Sequence, residues 1–281
     1  MKVVALNVHP VKSCAIRPVR SAGVVRAGLV GDRRWMVVDA EGRLVSAREV
    51  HGLFSVVTDT PQTSEELSDG LRLRAPGVPD LVLHGDTGEE VPVRLHRHDL
   101  TGALVSAEAD AWLRRVLGHP GLRLVRCVDP SLRALNPDHA LTGDHTAYAD
   151  GYPVTLASRA SLRQLQDWMA ETAVERGETV PDPLPEERFR ANVVVDGDGD
   201  LAAFGEDTWA SVRIGEVGFR VAKPVDRCVM TTIDPATLAT GAEPIRTLAR
   251  HRRWDGKTWF AIQLIPDGTG RVRVGDEVTP G

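Results

Sequence analysis

The chain contains no CxxC pair and only three cysteines, Cys14, Cys127 and Cys228, far apart in 281 residues. An odd, scattered set argues against a disulfide framework, a cysteine-rich zinc site or an iron–sulfur cluster, and it suits a reducing compartment, so a cytoplasmic protein is expected. No apolar run approaches the roughly 20 residues of a membrane-spanning helix, so no membrane role is expected. The opening MKVVALNVHP reaches Asn7, His9 and Pro10 too early for the apolar stretch of a signal peptide. Charge of one sign is also missing. The 34 Lys and Arg against 39 Asp and Glu leave a net charge of −5, which gives no ground for a nucleic-acid partner. Neither GxxxxGK[ST], nor GxGxxG after a strand, nor GxSxG, nor HExxH occurs, so mononucleotide, dinucleotide, serine-hydrolase and zinc-protease readings lose their usual support.

What is present is 42% hydrophobic content, enough to bury one large core or two modest ones. Short β-prone runs at 1–8, 24–38 (punctuated by turns or bulges at Gly28 and Gly31), 53–58, 71–74, 81–84 and 91–96 are separated by Gly, Pro and Asp clusters, a spacing that suggests a barrel or sandwich. The periodicity predicts a helix over 106–117, with Ser106 as cap and Gly118 beyond its end, and a second over 158–176, where Leu162, Leu165, Met169 and Ala173 recur. Further strands are expected at 122–128, 154–157, 192–195, 212–214, 217–221, 229–233, 258–265 and 271–274, with a short helix at 244–250. The class is α+β, mainly β, and the natural division near 118–122 gives domains 1–118 and 119–281.

Four segments could carry chemistry. Pro10-Val11-Lys12-Ser13-Cys14 follows a strand and offers an ammonium, a hydroxyl and backbone donors to a phosphate; a solvated lysine in a turn is the plain alternative. Gly31-Asp32-Arg33-Arg34-Trp35, read as a strand, puts Arg33 and Trp35 on one face and Asp32 and Arg34 on the other; a surface ion pair competes with an anion contact. Arg188-Phe189-Arg190-Ala191-Asn192 puts Arg190 and Asn192 at strand spacing, where a guanidinium beside a carboxamide suits a heteroaromatic edge or a phosphate. In Asp226-Arg227-Cys228 a cysteine beside an arginine favours thiolate, the form that ligates soft metals, although a buried cysteine opening a strand reads equally well. Residues 196–200, Asp-Gly-Asp-Gly-Asp, look like a calcium loop at first. Leu201 stands where the loop needs Gly, and Asp207 where it needs Glu, so a hairpin turn is expected.

In this order the segments resemble the MOSC family in the form that carries a MOSC N-terminal β-barrel domain, and within it the amidoxime-reducing components and the bacterial reductases of N-hydroxylated bases. The likeness runs through PVKSC, GLVGDRRWMVVDAEGRLVSARE, YPVTLASRASLRQL, RFRANVVVDG and DRCVMTTIDP, nearly the whole chain. It implies a MOSC-type β-barrel packed against the N-terminal barrel. The implied cofactor is a molybdenum cofactor (Mo-molybdopterin), with Cys228 as the metal ligand and catalytic residue. Lys12, Ser13 and Arg33 match residues that hold the phosphate and pterin. Arg190 and Asn192 match the family's Arg and Asn, Arg227 adjoins the ligand, and Ser158 and Arg159 fall at a helix N-terminus suited to an anion. Asp226 and Ala191 depart from the family pattern.

The implied activity is a molybdenum-dependent oxidoreductase that reduces small N-hydroxylated substrates. No ferredoxin domain follows as it does in some bacterial relatives, so electrons are expected from a separate donor protein. The alternatives are a non-catalytic carrier of the cofactor or of sulfur, and a plain β-barrel binding module. Full-length sulfurases add a pyridoxal-phosphate domain; the chain has neither the length nor a Schiff-base lysine context for it, so pyridoxal phosphate is not expected.

Overall fold

The computed structural model describes residues 1–197, 199 and 201–281. Asp198 and Asp200, and with them the turn expected at 196–200, lie outside the described residues. The chain forms two units whose sequences interleave. One comprises Val8–Val19 and Ala27–Gly151; the other comprises Met1–Asn7, Arg20–Arg26 and Tyr152–Gly281. Among the described residues strands dominate and three α-helices accompany them, the α+β, mainly β class. Among the described residues the sheets are open, and no strand path returns to its first member to close a barrel.

In the unit built around Ala27–Gly151, four antiparallel strands pair in the order Trp35–Val38, Arg123–Cys127, His98–Leu104 and Glu90–Leu95. Their inward residues Met36, Val38, Val93, Leu95, Val125 and Cys127 pack with Ala147 and Tyr148. His98–Leu104 escapes the periodicity because HDLTGAL is polar for its first half, and cross-strand pairing to both neighbours makes it a strand. A three-stranded sheet (Val57–Asp59, Leu71–Arg74, Leu81–Leu83) holds Asp59, fully buried and ion-paired to Arg17, Arg72 and Arg74. Helix α1, Ala107–Leu117, opens on a hydrogen bond from Ala109 N–H to the Ser106 hydroxyl and ends at Gly118 with φ 63°, a left-handed conformation that suits glycine.

Two expectations fail here for identifiable reasons. Gly28 and Gly31, with φ of 114° and 83°, punctuate 24–38 as expected, but residues 31–34 are not a strand: Arg33 has φ 48°, and after Gly28–Leu29 strand pairing resumes at Trp35. The two-face argument for residues 31–35 therefore does not hold. Residues 51–55 form a 3-10 turn, and the strand is displaced to Val57–Asp59.

The other unit has one long sheet in the order Val278–Pro280, Ser211–Ile214, Val217–Asp226, Lys257–Pro266, Val154–Ser158, Val193–Asp196 and Lys2–Val8. Val154–Ser158 and Val193–Asp196 run parallel, so the chain between them must cross over, and helix α2, Arg159–Glu175, makes that crossover. Val193, Val194 and Val195 are all buried, as a strand covered on both faces requires. Leu165 and Met169 of α2 meet Phe189, Val194, Phe260 and Leu248, the last from α3, Ile245–His251. Residues 229–232, expected as a strand, form a 3-10 turn after Cys228. Thr231 and Thr232 return their hydroxyls to the Cys228 and Val229 carbonyls, an alternative that these side chains offer the backbone in place of a ladder.

Candidate functional site

Lys12 and Ser13 lie on a loop that the backbone fastens to residues 33–35. Arg33 N–H donates to the His9 carbonyl (2.6 Å), Trp35 N–H to Pro10 (3.1 Å), and Lys12 N–H to Trp35 (2.8 Å). Tyr148 N–H closes the group on the Arg33 carbonyl at 3.0 Å. Ser13 and Arg33 both take positive φ, 69° and 48°, conformations that cost free energy in non-glycine residues and that the surrounding bonds must enforce.

The side chains in this loop group form two charge groups. Lys12 is 4% exposed; its ammonium donates to the Tyr148 carbonyl (2.9 Å) and to Asp150 Oδ1 (2.7 Å). Burial pulls its pKa down to about 8, Arg33 and Arg133 add to the fall, and Asp150 opposes it. Asp32 accepts the His9 N–H (2.7 Å), meets His9 Nδ1 (3.1 Å) and pairs with the Arg33 guanidinium. Its burial favours the neutral acid, yet Arg33 and His9 together hold its pKa at about 2. Buried Arg133 donates to the carbonyls of Ala147, Ala149 and Asp150 and so fixes the segment that receives Lys12. The sequence pointed to Lys12, Ser13 and Arg33 but not to His9, Asp150 or Arg133. Separations of 14 to 138 residues leave no periodic trace of these pairings.

In the other unit Cys228 follows the Val217–Asp226 strand and opens the 3-10 turn. Cys14 and Cys127 are buried, whereas Cys228 is partly exposed. Burial pushes the Cys127 thiol pKa up, which makes it a poorer nucleophile and ligand. Among the described residues no group of three or more His, Cys, Asp or Glu side chains is arranged to hold a metal. Arg227 turns into the protein: Nε donates to the Phe260 carbonyl (2.8 Å) and one terminal nitrogen to Phe189 (2.9 Å), and the guanidinium lies over both rings at 5.9 and 5.5 Å. These contacts fix the backbone that presents Cys228.

Arg190 ends a 3-10 turn with φ 51°, and the strand begins at Val193, so strand alternation does not relate Arg190 to Asn192. Asn192 is fully buried; its carbonyl oxygen accepts from Thr155 N–H (3.1 Å) and its amide donates to Asn7 (3.1 Å). Ser158 caps α2 by accepting from Ser161 N–H, and both hydroxyls donate to the Glu206 carboxylate at 2.7–3.1 Å. Burial raises the Glu206 pKa against those hydrogen bonds. Arg159 forms a two-pronged ion pair with Glu186 (2.9 and 3.2 Å).

The chain matches the MOSC domain over residues 143–279 and the MOSC N-terminal beta barrel domain over residues 1–120. It is 30% identical to mitochondrial amidoxime reducing component 2 of Bos taurus, an alignment that covers 97% of this chain and 81% of that one. Mitochondrial amidoxime-reducing component 1 of Homo sapiens is 29% identical over 98% of this chain and 82% of its own length. The molybdenum cofactor sulfurase of Anopheles gambiae is 29% identical over 94% of this chain but only 34% of its own length.

Proposed function

Because the chain belongs to the MOSC family in the form with a MOSC N-terminal domain, we propose that it binds a molybdenum cofactor and reduces small N-hydroxylated compounds with electrons from a separate donor protein. Cys228 carries this reading: it alone of the three cysteines combines a partly exposed thiol with the DRCVMTT segment. The donor set fits such a cofactor, with one accessible soft sulfur on one segment and a preorganised cationic loop on another.

When bound, the cofactor supplies a metal that cycles through two electrons; the protein anchors and orients it. Cys228 contributes one thiolate, and the Arg227 contacts with Phe189 and Phe260 set where that sulfur stands. Lys12 and Arg33 contribute positive charge and Ser13 a hydroxyl to the phosphate end. Arg190 contributes a further guanidinium to the cofactor, on the strength of its match to the family's arginine. Asn192, with its amide engaged by Thr155 and Asn7, positions the turn that carries Arg190. Ser158 and Arg159 act locally, through the cap with Glu206 and the pair with Glu186. The overall reaction consumes two electrons and two protons for each N–OH group, releasing water and the amine or amidine. We place the protein in a reducing compartment, consistent with its three free thiols.

The test is protein made in a cofactor-competent host, analysed for molybdenum and pterin, then assayed with benzamidoxime and dithionite-reduced methyl viologen. Turnover supports the enzyme. Stoichiometric cofactor without turnover supports a carrier, and absence of both metal and pterin rejects the proposal. NADH alone should leave the substrate unchanged.

A further inference from the structure

The loop at residues 42–44 runs beside the end of the Glu90–Leu95 strand. Arg94 N–H donates to Gly42 (2.8 Å), Leu44 N–H donates to Arg94 (2.9 Å), and Arg43 stands directly opposite Arg94. Like charges placed opposite one another destabilise a ladder. Here carboxylates at hydrogen-bond distance meet one side only, since Arg43 pairs with Asp39 (2.8 Å) and Glu41 (2.9 Å). Arg94 Nε donates to the His96 carbonyl (3.2 Å) and approaches a carboxylate only at the well-exposed Asp99, 3.7 Å away.

The same two arginines line a cavity of about 280 Å³ together with Ser46, Arg48, Glu49 and His96. Its charged lining is three guanidiniums against one carboxylate. That carboxylate, Glu49, already accepts from the Ser46 N–H (2.9 Å) and hydroxyl (2.6 Å), so it is turned to its own loop. His96 is held at φ 54°, a strained setting for a non-glycine residue, and its Nε2 lies 3.1 Å from Asp150 Oδ1, the oxygen that also takes the Lys12 ammonium.

We propose that this cavity is a second oxyanion site, for a phosphate or carboxylate group on a small molecule, in which Arg48, Arg94 and His96 hold the anion beside the Lys12–Arg33 cluster. Planar guanidinium forks suit both oxyanions, and an anion there resolves the repulsion between Arg43 and Arg94. Asp150 joins the two sites, because an anion that takes the His96 hydrogen bond leaves this carboxylate to Lys12.

The probes are inorganic phosphate and benzoate, titrated calorimetrically into the full chain at low salt. The wild type should bind two phosphates per chain. Arg94→Ala, at a side chain 59% exposed, keeps the fold and should weaken one of the two by about tenfold or more, the loss expected for a charged hydrogen bond. Arg48→Lys should weaken the same site, and Lys12→Ala should remove the other. Benzoate binding that disappears in Arg94→Ala identifies a carboxylate site; phosphate binding without benzoate identifies a phosphate site. Binding of phosphate and benzoate that is indifferent to both Arg94→Ala and Arg48→Lys overturns the proposal, whereas loss of the Lys12 site alone leaves it standing. The outcome is separable from the reductase reading, because neither cofactor nor turnover enters the measurement.

Discussion

The loop group around Lys12 and the turn that carries Cys228 are built on opposite principles. At Lys12 two charge groups, His9–Asp32–Arg33 and Lys12–Asp150 with Arg133, are each joined by hydrogen bonds and are largely buried apart from Asp150, and two residues are held at positive φ. At Cys228 the chain offers a partly exposed thiol on one 3-10 turn, steadied from behind by Arg227. An anion must be met by donors already in position, because reorganising buried charge is costly. A metal-bound sulfur gains its order from the metal bond itself, so a simple turn suffices. The first region should therefore be sensitive in stability, the second in metal content.

The largest stability effect should come from Asp32→Ala. It removes a charged partner from Arg33 and from fully buried His9, and a broken buried pair costs about 3–5 kcal/mol. Chemical denaturation measures this; a loss under about 1 kcal/mol, the range of exposed pairs, would dissolve the contrast between the regions. Ser158→Ala should cost about 1–2 kcal/mol, since it removes the α2 cap and one of two hydroxyls on Glu206. Its cofactor content should stay unchanged; a loss of pterin would return Ser158 to the cofactor. Arg159→Ala should be the mildest, about 0–1 kcal/mol, because its pair with Glu186 is 40% exposed on the arginine side.

Lys12 sharpens the comparison through pH. Its folded pKa of about 8 lies below the 10.5 of a free lysine, so between those values the unfolded chain binds the proton more tightly. Stability from this residue should therefore rise with pH across that window, while phosphate affinity at Lys12 falls as the ammonium is lost. Lys12→Met should flatten both trends. Parallel phosphate titrations and denaturation curves at pH 7 and 9.5 decide it; pH-independent phosphate affinity would mean that Lys12 is not an anion ligand.

Much of the fold was legible because local rules decide it: the Ser106 cap, the Gly118 terminus and the apolar stripe of α2 all stand where spacing put them. The Lys12, Arg33 and Cys228 segments could be picked out by residue chemistry. Their geometry could not. Positive φ at Ser13, Arg33 and Arg190 breaks the alternation on which face assignments depend, and it is enforced by partners remote in sequence, such as His9 and Tyr148 for Arg33. The same remoteness hid the partnership of Asn192 with Asn7 and of Ser158 with Glu206. Residues 229–233 misled because Val-Met-Thr-Thr-Ile has strand composition, while the threonine hydroxyls turn the chain after Cys228.

The account rests most heavily on Cys228, and molybdenum per chain tests it directly. Wild type, Cys228→Ser, Cys14→Ser and Cys127→Ser should be made in a cofactor-competent host and compared for metal, pterin, turnover and melting temperature. Serine offers a harder, poorly ionised oxygen, so Cys228→Ser should lose molybdenum and activity with its melting temperature within a few degrees of wild type, a shift of about 1 kcal/mol or less. The two buried cysteines, when replaced, should leave metal content near the wild-type value. Full molybdenum occupancy and activity in Cys228→Ser would contradict the assignment, and equal loss in all three variants would mean that folding, not ligation, had been measured.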